Sequence, residues 1–368
     1  MSLHRFASLA RLTLLLAALG GPTLAQDQNV ILVSTDGLRW QDLFRGADPG
    51  LLSRDDAGMK DAAAVRERFG GAPEVSRRKI FPFLWGTVAR QGLLYGNRDK
   101  GSVAKVNNGM RFSYPGYAEL LTGRPHDDVI RSNDMRPSPA PTVLEIARRE
   151  LSLERNQAAA FGSWEVFQGI CARDSNSVFI NAGYQPLASG RWSPRLAELA
   201  DLQFQMLTPW RSARHDYLTF ELALEYLRQV GPRALYIALD ETDDWAHASR
   251  YDRVLEMAHN LDANLQRLWE LVQRDPRYRG KTTLIVATDH GRGRTPTDWQ
   301  RHGKDVEGAD EVWYVAIGPH VEALGEVSGG PAVTQSDIAP TMLQLLGLDP
   351  KLLAGAVGSP IAAITGSR

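Results

Sequence analysis

The chain has 368 residues, of which 43% are hydrophobic and 23% are charged, and its 42 Lys and Arg residues nearly balance its 43 Asp and Glu residues. This composition excludes a disordered chain, a collagen-like fibre and a polytopic membrane protein. The near-zero charge argues against a general nucleic-acid-binding protein. The single cysteine, Cys171, excludes an internal disulfide and a multi-cysteine zinc cluster, so carboxylate and imidazole groups would have to bind any metal.

Residues 1–25 have the pattern of a secretory signal peptide. Arg5 and Arg11 are basic, residues 12–19 are rich in Leu and Ala, and small residues follow at a plausible cleavage point. A membrane anchor or a cytoplasmic extension is the alternative, although the apolar run is short for a bilayer-spanning helix. We therefore expect a periplasmic or secreted protein that has no transmembrane helix once the signal is removed.

The remainder of the chain, residues 26–368, is expected to form a single domain of the α/β class, with helices on both faces of a mostly parallel central sheet. Nearly continuous apolar runs are typical of strands buried on both faces. Such runs occur at residues 30–34, 234–239, 282–287 and 312–317. Between the second and third runs, apolar residues recur at helical spacing from Val254 to Val272, which predicts a long amphipathic helix starting near Ser249 and ending at Asp275.

Two segments interrupt this strand and helix pattern. Residues 48–78 are charged and contain glycine, and they are interpreted as a surface insertion. Residues 175–212 are rich in Pro, Gly and Arg, which predicts an irregular insertion that caps a substrate site.

Aspartates follow three of the predicted strands: Asp36, the group from Asp240 to Asp244, and Asp289. The carboxyl ends of parallel strands form the ligand-binding edge of α/β sheets, so these side chains are expected to lie close together. Their charges would repel one another unless a cation lay among them.

Histidines accompany these acids. His247 lies four residues after Asp243, which places both on one face of a helical turn, and His290 directly follows Asp289. His302 follows in a His-Gly pair. A set of Asp carboxylates and imidazoles is typical of a site for zinc or a similar divalent ion.

Ser113 is the candidate nucleophile. Pro115 suits an early helical position and Gly123 suits a helix end, so Ser113 is expected at or near a helix N-terminus. Backbone N–H groups there stabilise an anion such as a phosphoryl oxygen. A plain helix-capping serine is the alternative interpretation.

The ordered set of these residues resembles the alkaline phosphatase superfamily, and its phosphodiesterase/nucleotide pyrophosphatase branch in particular. The resemblance extends from about residue 29 to residue 347 and includes residues 334–343, which are similar to the "D-I-x-P-T-x-L" helix of that superfamily. It implies an alkaline-phosphatase-like fold and a metal-dependent hydrolase of small-molecule phosphate esters, of the phosphodiesterase or phosphomonoesterase type. Neither the resemblance nor the charge indicates a nucleic-acid-binding surface.

The resemblance also implies two divalent metal ions, zinc or else manganese, and a role for each motif residue. One ion would be bound by Asp36, Ser113, Asp289 and His290, and the other by Asp243, His247 and His302. Ser113 would attack the ester and form a phosphoserine, and Asn133 would hold a phosphoryl oxygen. Two metal ions roughly 4 Å apart stabilise the attacking and leaving oxygens of such a displacement.

Other functions remain open at the level of sequence. Residues 113–123 are also in register with the sulfatase motif, but Tyr117 stands where the maturation signal of sulfatases has an arginine, which favours phosphate over sulfate esters. The short interval from His290 to His302 is nearer to that of cofactor-independent mutases, although no long inserted domain of the mutase kind is evident. A binding protein that has the same fold without turnover is a further alternative.

Overall fold

A computed structural model describes residues 28–366, so the predicted signal peptide lies outside the described residues. Ten strands occur in this part of the chain: β1 (Asn29–Thr35), β2 (Gly92–Tyr95), β3 (Ala104–Lys105), β4 (Ala158–Gly162), β5 (Phe179–Ala182), β6 (Ala234–Leu239), β7 (Thr282–Thr288), β8 (Tyr314–Ile317), β9 (Gly325–Glu326) and β10 (Val333–Thr334).

The α-helices of the same residues are α1 (Trp40–Phe44), α2 (Pro49–Leu52), α3 (Ala62–Phe69), α4 (Pro73–Ile80), α5 (Ala89–Gln91), α6 (Ser113–Thr122), α7 (Val143–Glu150), α8 (Phe167–Ile170), α9 (Pro194–Leu202), α10 (Asp216–Val230), α11 (Glu241–His247), α12 (Tyr251–Arg274), α13 (Ile338–Leu345) and α14 (Ala362–Thr365). Among the described residues, no helix combines the length and the apolar character needed to cross a membrane.

Eight strands form the main sheet in the order β5-β4-β6-β1-β7-β8-β2-β9. The pairings from β5 to β7 are all parallel, and β8 alone runs against its two neighbours. The chain therefore adopts the predicted α/β fold with a mostly parallel central sheet. Since β6 and β7 both pair with β1, their carboxyl ends lie on either side of the end of β1.

Helices cover both faces of the sheet because the strands are apolar on both faces. In β1, Ile31 and Val33 belong to one buried cluster, whereas Val30 and Leu32 belong to the other. The first cluster includes apolar residues of α10 and α12, and the second includes those of α6, α7 and α13. This arrangement explains the continuous apolar runs of the sequence, since successive side chains of a strand point to opposite faces.

The predicted strands and the long helix are present, with three differences. The run at residues 312–317 yields only the four-residue β8, because the backbone N–H of Val312 donates to the carbonyl of Ala104 in β3 and not to a strand of the main sheet. Helix α12 starts at Tyr251, and Ser249 does not cap it, since Ser249 adopts a left-handed backbone conformation with φ of 55°. Residues 175–212 are more regular than predicted, because they contain β5 and α9.

His126 lies just beyond α6 and is 3% exposed, with its Nε2 2.8 Å from Thr122 Oγ1. Burial, and then the charge of Arg124, lower the pKa of His126 to about 4. Unfolded histidine binds a proton near pH 6.5, so this ring stabilises the fold above that pH and the stabilisation is lost as the pH falls toward 4.

We expect His126→Gln to lose less stability on acidification than the wild type. Between about pH 7 and pH 5 the free energy of unfolding of the wild type should fall by about 1 kcal/mol more than that of the variant. Chemical denaturation at several pH values measures this difference, and parallel pH curves for the two proteins would show that His126 makes no such contribution.

Candidate active site at the carboxyl edge of the sheet

The three predicted aspartates meet at the carboxyl edge of the sheet. Asp36 directly follows β1 and Asp289 directly follows β7, and these adjacent parallel strands are in register. Asp243 lies on α11, the short helix that begins two residues after β6 ends. The backbone N–H of Gly37 donates to Asp289 Oδ1 at 3.0 Å, which joins the two strand ends.

One group of ligand atoms comes from Asp36, Asp289 and His290, whose donor atoms lie within 4.8 Å of one another. His290 Nε2 is 3.2 Å from Asp36 Oδ1 and 3.6 Å from Asp289 Oδ2. The other ring nitrogen, Nδ1, donates to the carbonyl of Gly291 at 2.9 Å. This contact directs Nε2 and its lone pair toward the carboxylates, as a metal-binding histidine requires.

A second group consists of Asp243, His290 and His302, again with donor atoms within 4.8 Å. His302 Nε2 is 3.7 Å from Asp243 Oδ1, and the ring of His302 stacks on that of His290. His247 lies at the exposed side of this group, with its Nε2 2.9 Å from His302 Nε2 and 3.1 Å from Asp243 Oδ2. The structure thus brings all the predicted Asp and His residues together, and places His290 in both groups.

The buried atoms of these groups fit divalent cations. Asp36 Oδ1, Asp289 Oδ2 and His290 Nε2 are buried and have no hydrogen-bond partner within residues 28–366. Asp243 Oδ1 has no hydrogen-bond partner there either, but it forms an ion pair with the guanidinium of Arg292. A buried carboxylate or imidazole without a partner is costly, and a bound cation removes that cost. Burial, and then the nearby charge of Asp36, raise the pKa of Asp289.

Ser113 is the first residue of α6, as predicted, and Gly123 ends that helix in a left-handed conformation. Ser113 is 5% exposed, and its side chain makes no hydrogen bond to another described residue. Its hydroxyl therefore has no hydrogen-bond partner within residues 28–366 and lies at a helix N-terminus, where backbone N–H groups favour an anion.

Helix α6 packs directly against the carboxylate cluster. A Cβ on Gly116 would lie 2.4 Å from the carbonyl oxygen of Asp289, so only glycine allows this approach. One turn after Ser113, the hydroxyl of Tyr117 donates to Asp36 Oδ2 at 3.0 Å. Since residues four apart lie on the same side of a helix, Ser113 faces the same cluster.

Three residues of this site were not among the predicted site residues. Tyr117 orients Asp36, and Gln335 joins α6 to β7 by donating to the carbonyls of Gly116 and Asp289. Arg292 is buried, donates to the carbonyls of Gly37 and Gln300, and forms an ion pair with the carboxylate of Asp243. Tyr117 and Arg292 lie within a few residues of Ser113 and His290 in the sequence, and this closeness is a signal that could have identified them. Gln335 has no such signal in the sequence.

Asn133 lies beside the N-terminus of α6. Its Oδ1 accepts a hydrogen bond from the backbone N–H of Tyr114 at 3.0 Å, and its side chain is exposed. With the oxygen bound to the helix, the amide nitrogen is free to donate to a ligand in front of Ser113. Its role as an oxyanion contact stays a prediction.

A reciprocal contact holds α11 in place. Asp216 accepts hydrogen bonds from the backbone N–H groups of Asp240 and Glu241, and Glu241 accepts one from the backbone N–H of Asp216. Each acid thus satisfies the free N–H groups at the start of the other's helix. This contact positions the helix that carries Asp243 and His247.

No protein-family model matches the sequence, and no curated protein matches it. Solved structures do match the fold. The phosphonate monoester hydrolase of Agrobacterium radiobacter is 16% identical, with a TM-score of 0.56 over 93% of this chain and 78% of the other. A 2-O GAG sulfatase is 13% identical, with a TM-score of 0.55 over 93% and 75% of the two chains.

The lipoteichoic acid synthase LtaP from Listeria monocytogenes is 12% identical, with a TM-score of 0.56 over 93% of this chain and 77% of that one. The chain therefore has the fold of the alkaline phosphatase superfamily with a sulfatase-like core, which confirms the fold predicted from the ordered motifs. Hydrolases of different ester classes share this fold at similar TM-scores, so the fold alone does not select the substrate.

Proposed function

We propose that the protein is an exported, metal-dependent hydrolase of phosphate esters that uses Ser113 as its nucleophile. The observation that carries the proposal is the group of buried carboxylate and imidazole atoms that have no hydrogen-bond partner within residues 28–366, against which α6 packs with Ser113 at its N-terminus. A fold without turnover would not need this combination. Within the alkaline phosphatase superfamily, we assign the protein to the phosphodiesterase/nucleotide pyrophosphatase branch, because the order of its motifs resembles that branch.

Two divalent ions, zinc or else manganese, fit the available ligand atoms. Asp36, Asp289, His290 and Ser113 would hold one, and Asp243, His247 and His302 the other, with His290 also close to the second group. Such ions supply Lewis-acid activation of the serine hydroxyl and of the phosphoryl group.

The residues of the chain account for the remaining steps. Ser113 Oγ loses its proton to solvent and forms a bond to phosphorus, the bond from phosphorus to the leaving oxygen breaks, and the leaving group takes up a proton from solvent. Asn133 Nδ2 and the backbone N–H groups at the start of α6 hold the non-bridging oxygens. Water then attacks the phosphoserine, releases phosphate and returns a proton to Ser113, so the enzyme is regenerated.

The contact of Tyr117 supports phosphate over sulfate esters. Sulfatases oxidise the residue at the Ser113 position to an aldehyde, and their motif has an arginine where this chain has Tyr117. Here that side chain is fully buried and donates to Asp36. An unmodified serine is a phosphoryl nucleophile, so we propose a phosphate ester as the substrate. A sulfate ester, and hence a sulfatase activity, is the second candidate.

We expect the metal-loaded protein to hydrolyse an aryl phosphate monoester or diester at least about 100-fold faster than the matching aryl sulfate. Reconstitution of chelator-treated protein with zinc or manganese, followed by a comparison of kcat/KM for the three esters, tests this expectation. A mass spectrum of the peptide that contains Ser113 is the matching control. An aldehyde at position 113, or faster hydrolysis of the sulfate ester, would contradict the proposal and indicate a sulfatase. No turnover of any of the three esters with either metal would support a binding protein.

A further inference from the structure

A fully buried carboxylate lies on α6, the helix that begins at Ser113. Glu119 is 0% exposed, and both of its oxygens accept hydrogen bonds. Oε1 accepts from the backbone N–H of Asn107 at 2.9 Å and from Ser336 Oγ at 2.7 Å. Oε2 accepts from the backbone N–H of Asn108 at 2.8 Å and from the side-chain amide of Asn108 at 2.9 Å. Four donor groups from two separate segments therefore converge on one carboxylate.

Three of these donors belong to the loop that leads into the helix. Asn108 is itself buried, and its side chain makes a contact on either side. Its Nδ2 donates to Glu119, and its Oδ1 accepts from the backbone N–H of Arg111 at 2.8 Å. A continuous series of hydrogen bonds thus runs from Glu119 to a residue only two positions before Ser113.

The backbone of Arg111 needs such support. Its φ of 56° places it in the left-handed region, which is unfavourable for a residue that has a Cβ. A residue keeps this conformation only where surrounding contacts hold it, and such residues are frequent at active sites. Here the hydrogen bond to Asn108 is such a contact. Because Ser113 follows as the first residue of α6, the path of the chain into the helix depends on it.

Glu119 also connects α6 to the end of β7. Ser336, which donates to Glu119, is fully buried, and its neighbour Gln335 donates to the carbonyls of Gly116 and Asp289. The carboxylate therefore joins the loop that precedes α6 to a segment that contacts a candidate metal ligand.

We propose that Glu119 is a positioning residue for the nucleophile, because it holds residues 107–111 in the path that directs the Ser113 hydroxyl toward the metal-binding groups. The inference rests on the hydrolase function proposed above. Glu119 contacts the loop and Ser336, so it acts through the backbone and not on the substrate. Displacing a reacting group by about 1 Å can lower a rate about 100-fold, even when the binding groups are unchanged.

Glu119→Gln tests the inference, because it replaces one acceptor oxygen by an N–H donor and leaves loop donors without an acceptor. The kcat for an aryl phosphate ester should fall at least about tenfold, whereas KM and metal content should stay within about twofold of the wild type. Asn108→Ala should have the same kinetic effect and keeps the contact between Glu119 and Ser336. It provides the test if Glu119→Gln does not fold.

Glu145→Gln is the matched control. Glu145 on α7 is also buried, and it accepts hydrogen bonds from the backbone N–H groups of Thr142, Arg173 and Asp174, none of which is a candidate site residue. Both Glu→Gln variants should lower the melting temperature by a few degrees, but only Glu119→Gln should lower kcat. An unchanged kcat in Glu119→Gln and Asn108→Ala, or an equal loss in Glu145→Gln, would overturn the inference.

Hydrogen exchange of the metal-free proteins gives a result that does not depend on turnover. Amides of residues 107–116 should exchange at least about tenfold faster in Glu119→Gln than in the wild type, and those of residues 173–177 should not change. Glu145→Gln should give the reverse pattern. Unchanged exchange at residues 107–116 would overturn the inference.

The two measurements separate this inference from the proposed function. If the wild type hydrolyses the ester and Glu119→Gln keeps its kcat, the positioning role of Glu119 is rejected and the hydrolase stands. If exchange at residues 107–116 rises as expected and the wild type hydrolyses no ester with either metal, the hydrolase is rejected and the anchoring of the loop by Glu119 stands.

Discussion

Ser113→Ala should lower kcat by at least about 10³-fold, since replacing a nucleophile removes the covalent route and leaves only the binding groups of the site. The substitution deletes one hydroxyl that makes no hydrogen bond to another described residue, so α6 should remain folded. The carboxylate and imidazole groups remain in place, and most of the metal should stay bound.

The experiment needs metal content and turnover measured on the same sample. Elemental analysis before the assay distinguishes loss of the nucleophile from loss of the ions, because Ser113 is also a proposed ligand. Ser53→Ala, which removes an exposed hydroxyl bound to the carbonyl of Gly50, is the matched control and should keep full activity. A metal-loaded Ser113→Ala protein with more than about a tenth of wild-type turnover would contradict the assignment of the nucleophile.

Acid quenching gives an independent result for the same residue. During turnover the wild type should accumulate a phosphate adduct on the peptide that contains Ser113, and the variant should not. An adduct on another residue would move the nucleophile elsewhere.

Asp289→Asn should make the metal-free protein more stable and the metal-loaded protein less stable than the wild type. Asp289 and Asp36 are both buried at the ends of neighbouring strands, and burial and the charge of Asp36 raise the pKa of Asp289. A neutral amide of the same shape removes that repulsion, and its oxygen still accepts the hydrogen bond from Gly37. The gain without metal should be about 1 kcal/mol at pH 8.

With metal present the order should reverse. At a metal concentration 100 times its Kd, binding stabilises the wild type by about 2.7 kcal/mol. The variant should bind at least about 100-fold more weakly, since even changes outside the ligand shell weaken metal sites 10- to 100-fold. Its melting temperature should therefore hardly respond to zinc or manganese.

Melting curves with a chelator and with each metal measure both effects. Asp201→Asn, an exposed change of the same type on α9, is the control and should alter neither curve. If the melting temperature of Asp289→Asn responds to metal as that of the wild type does, Asp289 is not a ligand. If the metal-free variant is less stable than the metal-free wild type, the carboxylates of Asp36 and Asp289 do not repel each other.

The arrangement of the site could be predicted to a large extent from the sequence. Asp36 and Asp289 each follow an apolar run, and the rule that ligands bind at the carboxyl ends of parallel strands was enough to bring them together. The four-residue spacing from Asp243 to His247 placed both on one face of α11. The α/β class, helix α12 and the start of α6 at Ser113 follow from local periodicity and helix-ending residues, which act within a few residues. The metal and nucleophile roles remain predictions that the experiments above test.

Only the tertiary structure decided the contacts between segments distant in the chain. These contacts include the reversal of β8, the hydrogen bond from Tyr117 to Asp36 and the bridge from Gln335 to Asp289, and no local pattern links the segments that they join. The physical reason is that local backbone preferences determine where a strand or helix begins, whereas packing determines which side chains meet across the core. The sequence by itself thus determined which groups carry charge at the edge of the sheet, and the fold decided their separation, their burial and the hydrogen bonds that orient them.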